Sequence, residues 1–293
     1  MTTVFWLKVL EQGLIFAVMA MGVHLTYRVL DFPDLSVDGS FALGAAVVAA
    51  AIIAGVNPAL ATLLAVVAGT VAGVCTGFLH VRLGVTNLLS GILVMTALYS
   101  INLRLMGRAN LALFNFPTIF ADGIPPLTVL AVIALAVKFI LDTFLATRAG
   151  LLLRATGDNP HMLASLGVTT GSTKLLGLAV SNGLVALSGA VMAQYQGFAD
   201  VGMGQGTMVM GLGAVILGGA LFSRVGLLRG TTMTLVGTVA YRMCLALAVH
   251  LGLAPTDLKL ITAALVIGAI ALAKVKKSKK KGGAVSAGNF QSA

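Results

Sequence analysis

The chain is 293 residues long, 58% hydrophobic and only 10% charged, with a mean hydropathy of +1.03. Soluble domains run roughly 45–50% apolar and about 25% charged, so a water-soluble enzyme is excluded, as is a disordered chain, which needs low hydrophobicity. Nineteen Lys and Arg against nine Asp and Glu leave a net charge of +10; six of the cations (Lys274, Lys276, Lys277, Lys279, Lys280 and Lys281) cluster after the last apolar run, where they read as a cytoplasmic anchor beside anionic headgroups rather than a nucleic-acid surface.

Apolar stretches of about 20 residues, the length that crosses a bilayer as a helix, recur from end to end. The chain is therefore read as an all-α polytopic membrane protein with about nine transmembrane helices. In chain order the predicted spans are Phe5–Tyr27, Val37–Gly55, Pro58–His80, Thr86–Leu103, Pro125–Leu145, Lys174–Tyr195, Gln205–Leu221, Gly230–Leu251 and Leu258–Ala273. Lys8 and Glu11 interrupt the first stretch and no small-residue cleavage pattern follows Val23, so this segment is expected to stay as a span. The spans beginning at Val37 and Gln205 are short and Gly-rich and are expected to be broken or partly re-entrant, which requires protein or water around them.

Placing the Lys cluster inside and alternating backwards puts 13 Lys and Arg in the cytoplasm and four (Lys8, Arg104, Arg108 and Lys259) outside. That asymmetry predicts the N-terminus outside and the C-terminus inside. Residues 1–275 are expected to form a single transmembrane domain, and residues 276–293 a basic, disordered cytoplasmic tail. The long outer loop Arg104–Ile124, with Phe114, Phe116 and Phe120, is either a docking surface or an interfacial connector. Gly69, Gly73 and Gly77 repeat every four residues as a helix-packing face, and Gly211, Gly213, Gly218 and Gly219 either do the same in the seventh span or permit a break there. Cys75 and Cys244, isolated in apolar runs, are read as packing residues.

An ionisable group at the bilayer centre costs about 2.5–3.5 kcal/mol on insertion scales, so each one asks for a reason. Asp31, Asp34 and Asp38 surround a helix break at Pro33. They either bind a cation or relay protons, or they form a solvated cytoplasmic turn in which Asp38 or Ser36 caps the next helix. The solvated turn is the reading for Asp31 and Asp34, while Ser36–Ser40 is placed within reach of a translocation path. Lys138 and Asp142, four residues apart, are expected to pair. Arg242 is the most isolated charge, and Tyr241 beside it marks a polar seam. No catalytic constellation is present, and the dipeptide Gly-Lys, which a P-loop requires, never occurs.

The most informative segment is the inner loop Arg154–Gly167. Gly157, Asp158, Asn159 and Pro160 form a stop-and-restart signal in which Asp158 or Asn159 caps a short helix opened by Pro160. The helix over His161–Leu166 offers Leu163, Ala164 and Leu166 as an apolar face, and Gly167 ends it. It is either an interfacial helix buried against lipid or a knob for a cytoplasmic partner.

Arg154, Gly157, Asp158, Asn159, Pro160, Ala164 and Gly167 together resemble the coupling-helix region of ABC importer permeases of the branched-chain amino acid and ribose type. Lys174–Gly177, Ser181–Gly183, Ser188–Ala190 and the Gly211–Gly219 stretch are similar to that family in order and spacing. The Leu30–Ser40 segment resembles a subgroup associated with amino acids, tryptophan among them. The family often has ten spans, and this chain is expected to lack the first. The resemblance implies a permease subunit of the bacterial cell (inner) membrane that is not itself an enzyme and holds no cofactor. It would work as a homodimer with an ABC ATPase, which supplies ATP and Mg, and an extracytoplasmic substrate-binding protein. It also implies that Arg154, Gly157, Asp158, Asn159, Pro160, Leu163, Ala164 and Gly167 couple to the ATPase. Polarity within apolar spans selects Ser36, Asp38, Ser40, Asn182, Tyr195 and Gln196 as the translocation pathway. The alternative is an ion-coupled secondary transporter using Asp31, Asp34 and Asp38.

Overall fold

The computed structural model describes residues 2–120, 123–222, 229–252, 260–268 and 271. In chain order these form α1 (Thr2–His24), a π-helical turn (Leu25–Val29), α2 (Ser36–Ile53), α3 (Pro58–Leu83), α4 (Asn87–Met106), β1 (Asn110–Ala112) and α5 (Pro126–Ala146). They continue with α6 (Arg148–Asp158), α7 (Pro160–Ser165), α8 (Thr170–Gln196), β2 (Phe198–Asp200), α9 (Thr207–Phe222) and α10 (Gly230–His250). Seven helices are long and apolar enough to cross a membrane: α1 with its π turn, α2, α3, α4, α5, α8 and α10. These match seven of the nine expected spans. The one expected from Gln205 is α9, a shorter apolar helix of 16 residues, and the one expected from Leu258 has helical backbone over 260–268. The Lys cluster and Arg224 lie outside the described residues.

The helices end where local chemistry stops them. Asn57 caps α3, its side-chain oxygen accepting the Ala59 N–H at 2.9 Å with Pro58 in the first turn, and Gly84 ends it in the left-handed region. Gly107 and Gly197 close α4 and α8 in the same way. Between α1 and α2 the backbone unwinds over residues 30–35. Asp31 sits there at φ 52, the only positive φ of a non-glycine residue among the described ones.

Helices α2 and α8 are the centre of the bundle, each 72% buried along its apolar window, whereas α3, α4, α5 and α10 are only 28–33% buried. The outer helices present Leu60, Leu63, Val67, Val132 and Phe139 to the surroundings. Such a surface is stable in hydrocarbon and not in water, and Cys75 and Cys244 both lie on it rather than in the packed interior. α3 runs antiparallel to α8 along the predicted glycine face: a Cβ at Gly69 would overlap Ala186 and Asn182, one at Gly73 the Leu178 carbonyl, and one at Gly77 would sit tightly against Leu175. α2 is equally intimate with α8, since a Cβ at Gly44 would overlap the Ala186 carbonyl and one at Gly189 the Phe41 carbonyl. Small residues let backbones approach this closely, which is the main source of helix affinity where lipid removes the hydrophobic drive. Hydroxyls add to it: Ser181 Oγ donates to the Gly22 carbonyl at 2.8 Å and Ser188 Oγ to the Ile15 carbonyl at 2.7 Å, joining α8 to α1.

β1 and β2 pair antiparallel, Asn110 opposite Asp200 and Ala112 opposite Phe198. This two-stranded clasp lies at the C-terminal ends of α4 and α8. Its three-residue strands are too short to carry an alternating pattern in the sequence. Leu113 beneath it is fully buried. The clasp marks one end of the bundle; α6 and α7 mark the other.

Candidate functional site

At the α6–α7 end, the stop-and-restart signal works largely as read. Asn159, not Asp158, is the cap: its side-chain oxygen accepts the Met162 N–H at 3.0 Å, with Pro160 in the first turn of α7. Gly167 at φ 76 ends the motif, where the Val168 N–H donates to the Leu163 carbonyl at 3.0 Å and closes the last turn. The preceding eleven residues, expected as part of the inner loop, are helical as well. α6 starts at the Thr147 cap and lays Leu153 and Thr156 inward. Gly157 lies against the Val29 carbonyl so closely that no side chain fits, making it a packing residue between α6 and the π turn. Arg154 and Asp158 are exposed. Of the expected apolar face only Leu163 turns into the bundle, at 4% exposure; Ala164 faces outward with Met162 and Leu166, which are 53% and 67% exposed. α7 is therefore anchored by one leucine and presents a capped, mostly apolar knob.

The candidate pathway residues fall into three places. Ser36, Ser40 and Asn182 form one fully buried network with Asp34. The Asn182 amide donates to Asp34 Oδ2 at 2.8 Å, and its oxygen accepts from Ser40 Oγ at 2.6 Å and Ser36 Oγ at 3.2 Å. Asp34 Oδ1 also accepts the Ser36 N–H at 2.8 Å and the Ser36 hydroxyl at 2.6 Å. The solvated turn expected for Asp34 is thus wrong: its relative exposure is 0%, and its carboxylate caps the start of α2. The reason is tertiary. Asn182 sits at mid-length of α8, so the unwound segment dips into the bundle instead of lying on its surface. Asp31 is exposed, as expected of a turn.

Asp38 is committed elsewhere. From the first turn of α2 its carboxylate accepts the Gly206 N–H at 2.8 Å, the Met208 N–H at 2.7 Å and the Thr207 hydroxyl at 2.9 Å. It is the N-terminal cap of α9, supplied by another helix, where a negative charge also meets the positive end of the helix dipole. Neither α2 nor α9 is broken; each is an unbroken short helix whose start is capped by an aspartate.

Towards the clasp end, the Tyr195 hydroxyl donates to Glu11 Oε2 at 2.6 Å, and Lys8 pairs with the same oxygen at 2.9 Å. Gln196, next in the chain, lines a cavity of about 220 Å³ bounded also by Gln12, Phe16, Phe41, Met192, Met203 and Arg242. Arg242 was legible as an unexplained intramembrane charge, but nothing in its own neighbourhood in the chain pointed to the other walls. At the α7 end, Lys138 pairs with Asp142 at 3.0 Å as expected, and Asp142 also accepts from Arg229 at 3.2 Å and from the Thr231 hydroxyl, tying α5 to α10.

Residues 5–273 match the family described as branched-chain amino acid transport system, permease component. The chain belongs to this family. It is 46% identical over 275 residues to a tyrosine transport system permease protein of Clostridioides difficile, covering 94% of this chain and 93% of that one. It is 35% identical over 277 residues to an uncharacterised protein of Rickettsia prowazekii, covering 92% and 96%. No solved structure matches. The protein is accordingly a multi-pass permease of the bacterial cell (inner) membrane, a transport subunit.

Proposed function

We propose that this permease is the pore-forming subunit of an ATP-driven ABC importer of an amino acid, and that α7 is its coupling helix. The observation carrying the reading is the α7 knob: a helix capped at both ends, held by Leu163 alone and exposing Met162, Ala164 and Leu166. An exposed apolar face of this kind on a short capped element fits a groove on a partner. That partner is a separate ATPase carrying ATP and Mg, placed at the cytoplasmic, α7 end. The clasp end then faces outward, towards a substrate-binding protein, with the N-terminus outside and the C-terminus inside. Two copies of the chain flank the pathway as a homodimer. The tyrosine system of the Clostridioides difficile relative supports an aromatic amino acid as the solute.

An ion-coupled carrier would need free carboxylates at depth. Asp34 and Asp38 have their oxygens occupied by the bonds described above, and Asp31 lies at the surface, which favours ATP over an ion gradient.

The test uses the exposed knob and avoids Gly157, whose replacement would wreck packing instead. The double substitution Met162→Glu with Leu166→Glu is expected to leave the chain at wild-type level in the membrane while abolishing tyrosine uptake and co-purification of the ATPase. Uptake at the wild-type rate in this variant would refute the assignment of α7.

A further inference from the structure

The cavity beside Gln196 contains a charge that the fold does not explain. Arg242 lies near mid-length of α10, a helix otherwise apolar around it. None of the ion pairs among the described residues involves it, and its buried Nε has no hydrogen-bond partner among them. Its guanidinium stacks 3.8 Å from the centroid of the Phe16 ring. Phe16 in turn stacks on Phe41, the centroids 5.7 Å apart and the ring planes 5° from parallel. The cation–π contact steadies the guanidinium, but it leaves the forked N–H donors without an anion. In a membrane interior a charge held this way marks a solute path more often than a structural post.

The rest of the wall matches one class of solute. Gln12 and Gln196 add amides near the cation, while Phe16, Phe41, Met192 and Met203 make the other sides aromatic or thioether. Methionine adapts its shape to the ring it meets and makes favourable sulfur–aromatic contacts. One unpaired planar cation, two amides and a soft apolar slot suit a single carboxylate on a compact apolar or aromatic body. The cavity, about 220 Å³, is below the usual range of about 300–1,000 Å³ for drug-sized ligands, so a metabolite-sized solute fits it. It lies between α1, α2, α8 and α10 on the clasp side of the Asp34–Asn182 network.

We infer that this cavity is a binding site within the permease for the carboxylate of an aromatic amino acid, with Arg242 as its anion-binding residue and Phe16, Phe41, Met192 and Met203 as the slot for the side chain. The inference rests on the transport reading above and deepens it: the permease itself selects for a carboxylate, on the side where the solute enters. Arg242 takes the carboxylate through two parallel N–H bonds, a geometry lysine cannot copy. Loading the site neutralises the Arg242 charge, which has no ion-pair partner among the described residues.

The experiment measures binding of tritiated L-tyrosine to the full chain in lipid nanodiscs, with no ATPase or binding protein present. Saturable binding is expected, with 3-(4-hydroxyphenyl)propionate competing and tyramine, which lacks the carboxylate, competing about ten- to a hundredfold less well. Arg242→Gln should weaken tyrosine binding by about the same factor, and Arg242→Lys, which keeps the charge but not the fork, by less. Met203→Trp fills the cavity from a half-buried loop position without touching the cation, and should abolish binding even if Arg242→Gln disturbs the fold. Wild-type affinity in a well-folded Arg242→Gln variant or in Met203→Trp, equal competition by tyramine, or no saturable binding at millimolar tyrosine would each overturn the site. The transport reading fails separately: tyrosine binding through Arg242 with no ATP-dependent uptake would sink that reading alone. ATP-driven uptake unchanged by Arg242→Gln would sink the site alone.

Discussion

The cap that Asp38 places on α9 can be removed by one substitution, Asp38→Ala. Three bonds are lost, but they are not equivalent. The Gly206 N–H is at an exposed residue and turns to water at little cost. The Thr207 hydroxyl keeps its second partner, the Gly204 carbonyl at 3.0 Å. The Met208 N–H belongs to a residue 3% exposed, and stranding it costs about 1–3 kcal/mol. Losing a partly buried negative charge at a helix N-terminus adds about 1 kcal/mol. The sum is about 3 kcal/mol, concentrated in the first turn of α9. Opening of that turn should become easier by about a hundredfold, which amide hydrogen exchange followed by mass spectrometry over residues 207–212 reads directly. Asp38→Asn retains an acceptor oxygen for Met208 and loses only the charge and one bond, so its exchange should rise about tenfold. Asp31→Asn, which removes the charge in the exposed turn but still tolerates its left-handed backbone, should leave exchange over 207–212 unchanged. Unaltered protection of 207–212 in a folded Asp38→Ala protein would refute the cross-helix cap.

Two further outcomes follow from the packing and from the charge pattern. Gly44→Ala and Gly189→Ala each place a methyl group into backbone of the facing helix and should cost about 1–3 kcal/mol, seen as lost monodisperse protein in fluorescence-detected size-exclusion chromatography, whereas Gly219→Ala, with nothing within 4 Å, should behave as wild type; indistinguishable profiles would mean that α2 and α8 do not touch so closely. In a background with Cys75 and Cys244 replaced by serine, a cysteine at Asn110 should react with an impermeant maleimide on intact cells and one at His161 only after permeabilisation; the reverse pattern would invert the proposed orientation.

What could be read from the residues in order is what depends on neighbours in the chain. Hydropathy located the spans because each helix satisfies its own backbone hydrogen bonds and needs only length and apolarity to enter lipid. The Asn159–Pro160 restart and the Gly167 stop were legible because capping acts within one turn, and Lys138–Asp142 because it spans one turn of a single helix. The four-residue glycine repeat of α3 announced its packing face for the same reason.

The tertiary structure decided everything that needs two distant segments at once. Asp34 read as a surface residue because Pro33 and Asp31 look like turn chemistry; only the approach of Asn182, 148 positions away, shows that the turn is buried at mid-length of α8. Asp38 looked like a cap for its own helix and caps another, 168 to 170 positions on. Gly157 read as a helix stop and is also a contact with Val29, while α6 went unread because its apolar side is narrow and its neighbours are polar. Arg242 declared itself as an intramembrane charge, yet its cavity exists only where α1, α2, α8 and α10 converge. A charge's cost can be computed from its own position, but what offsets that cost depends on which other helix arrives beside it.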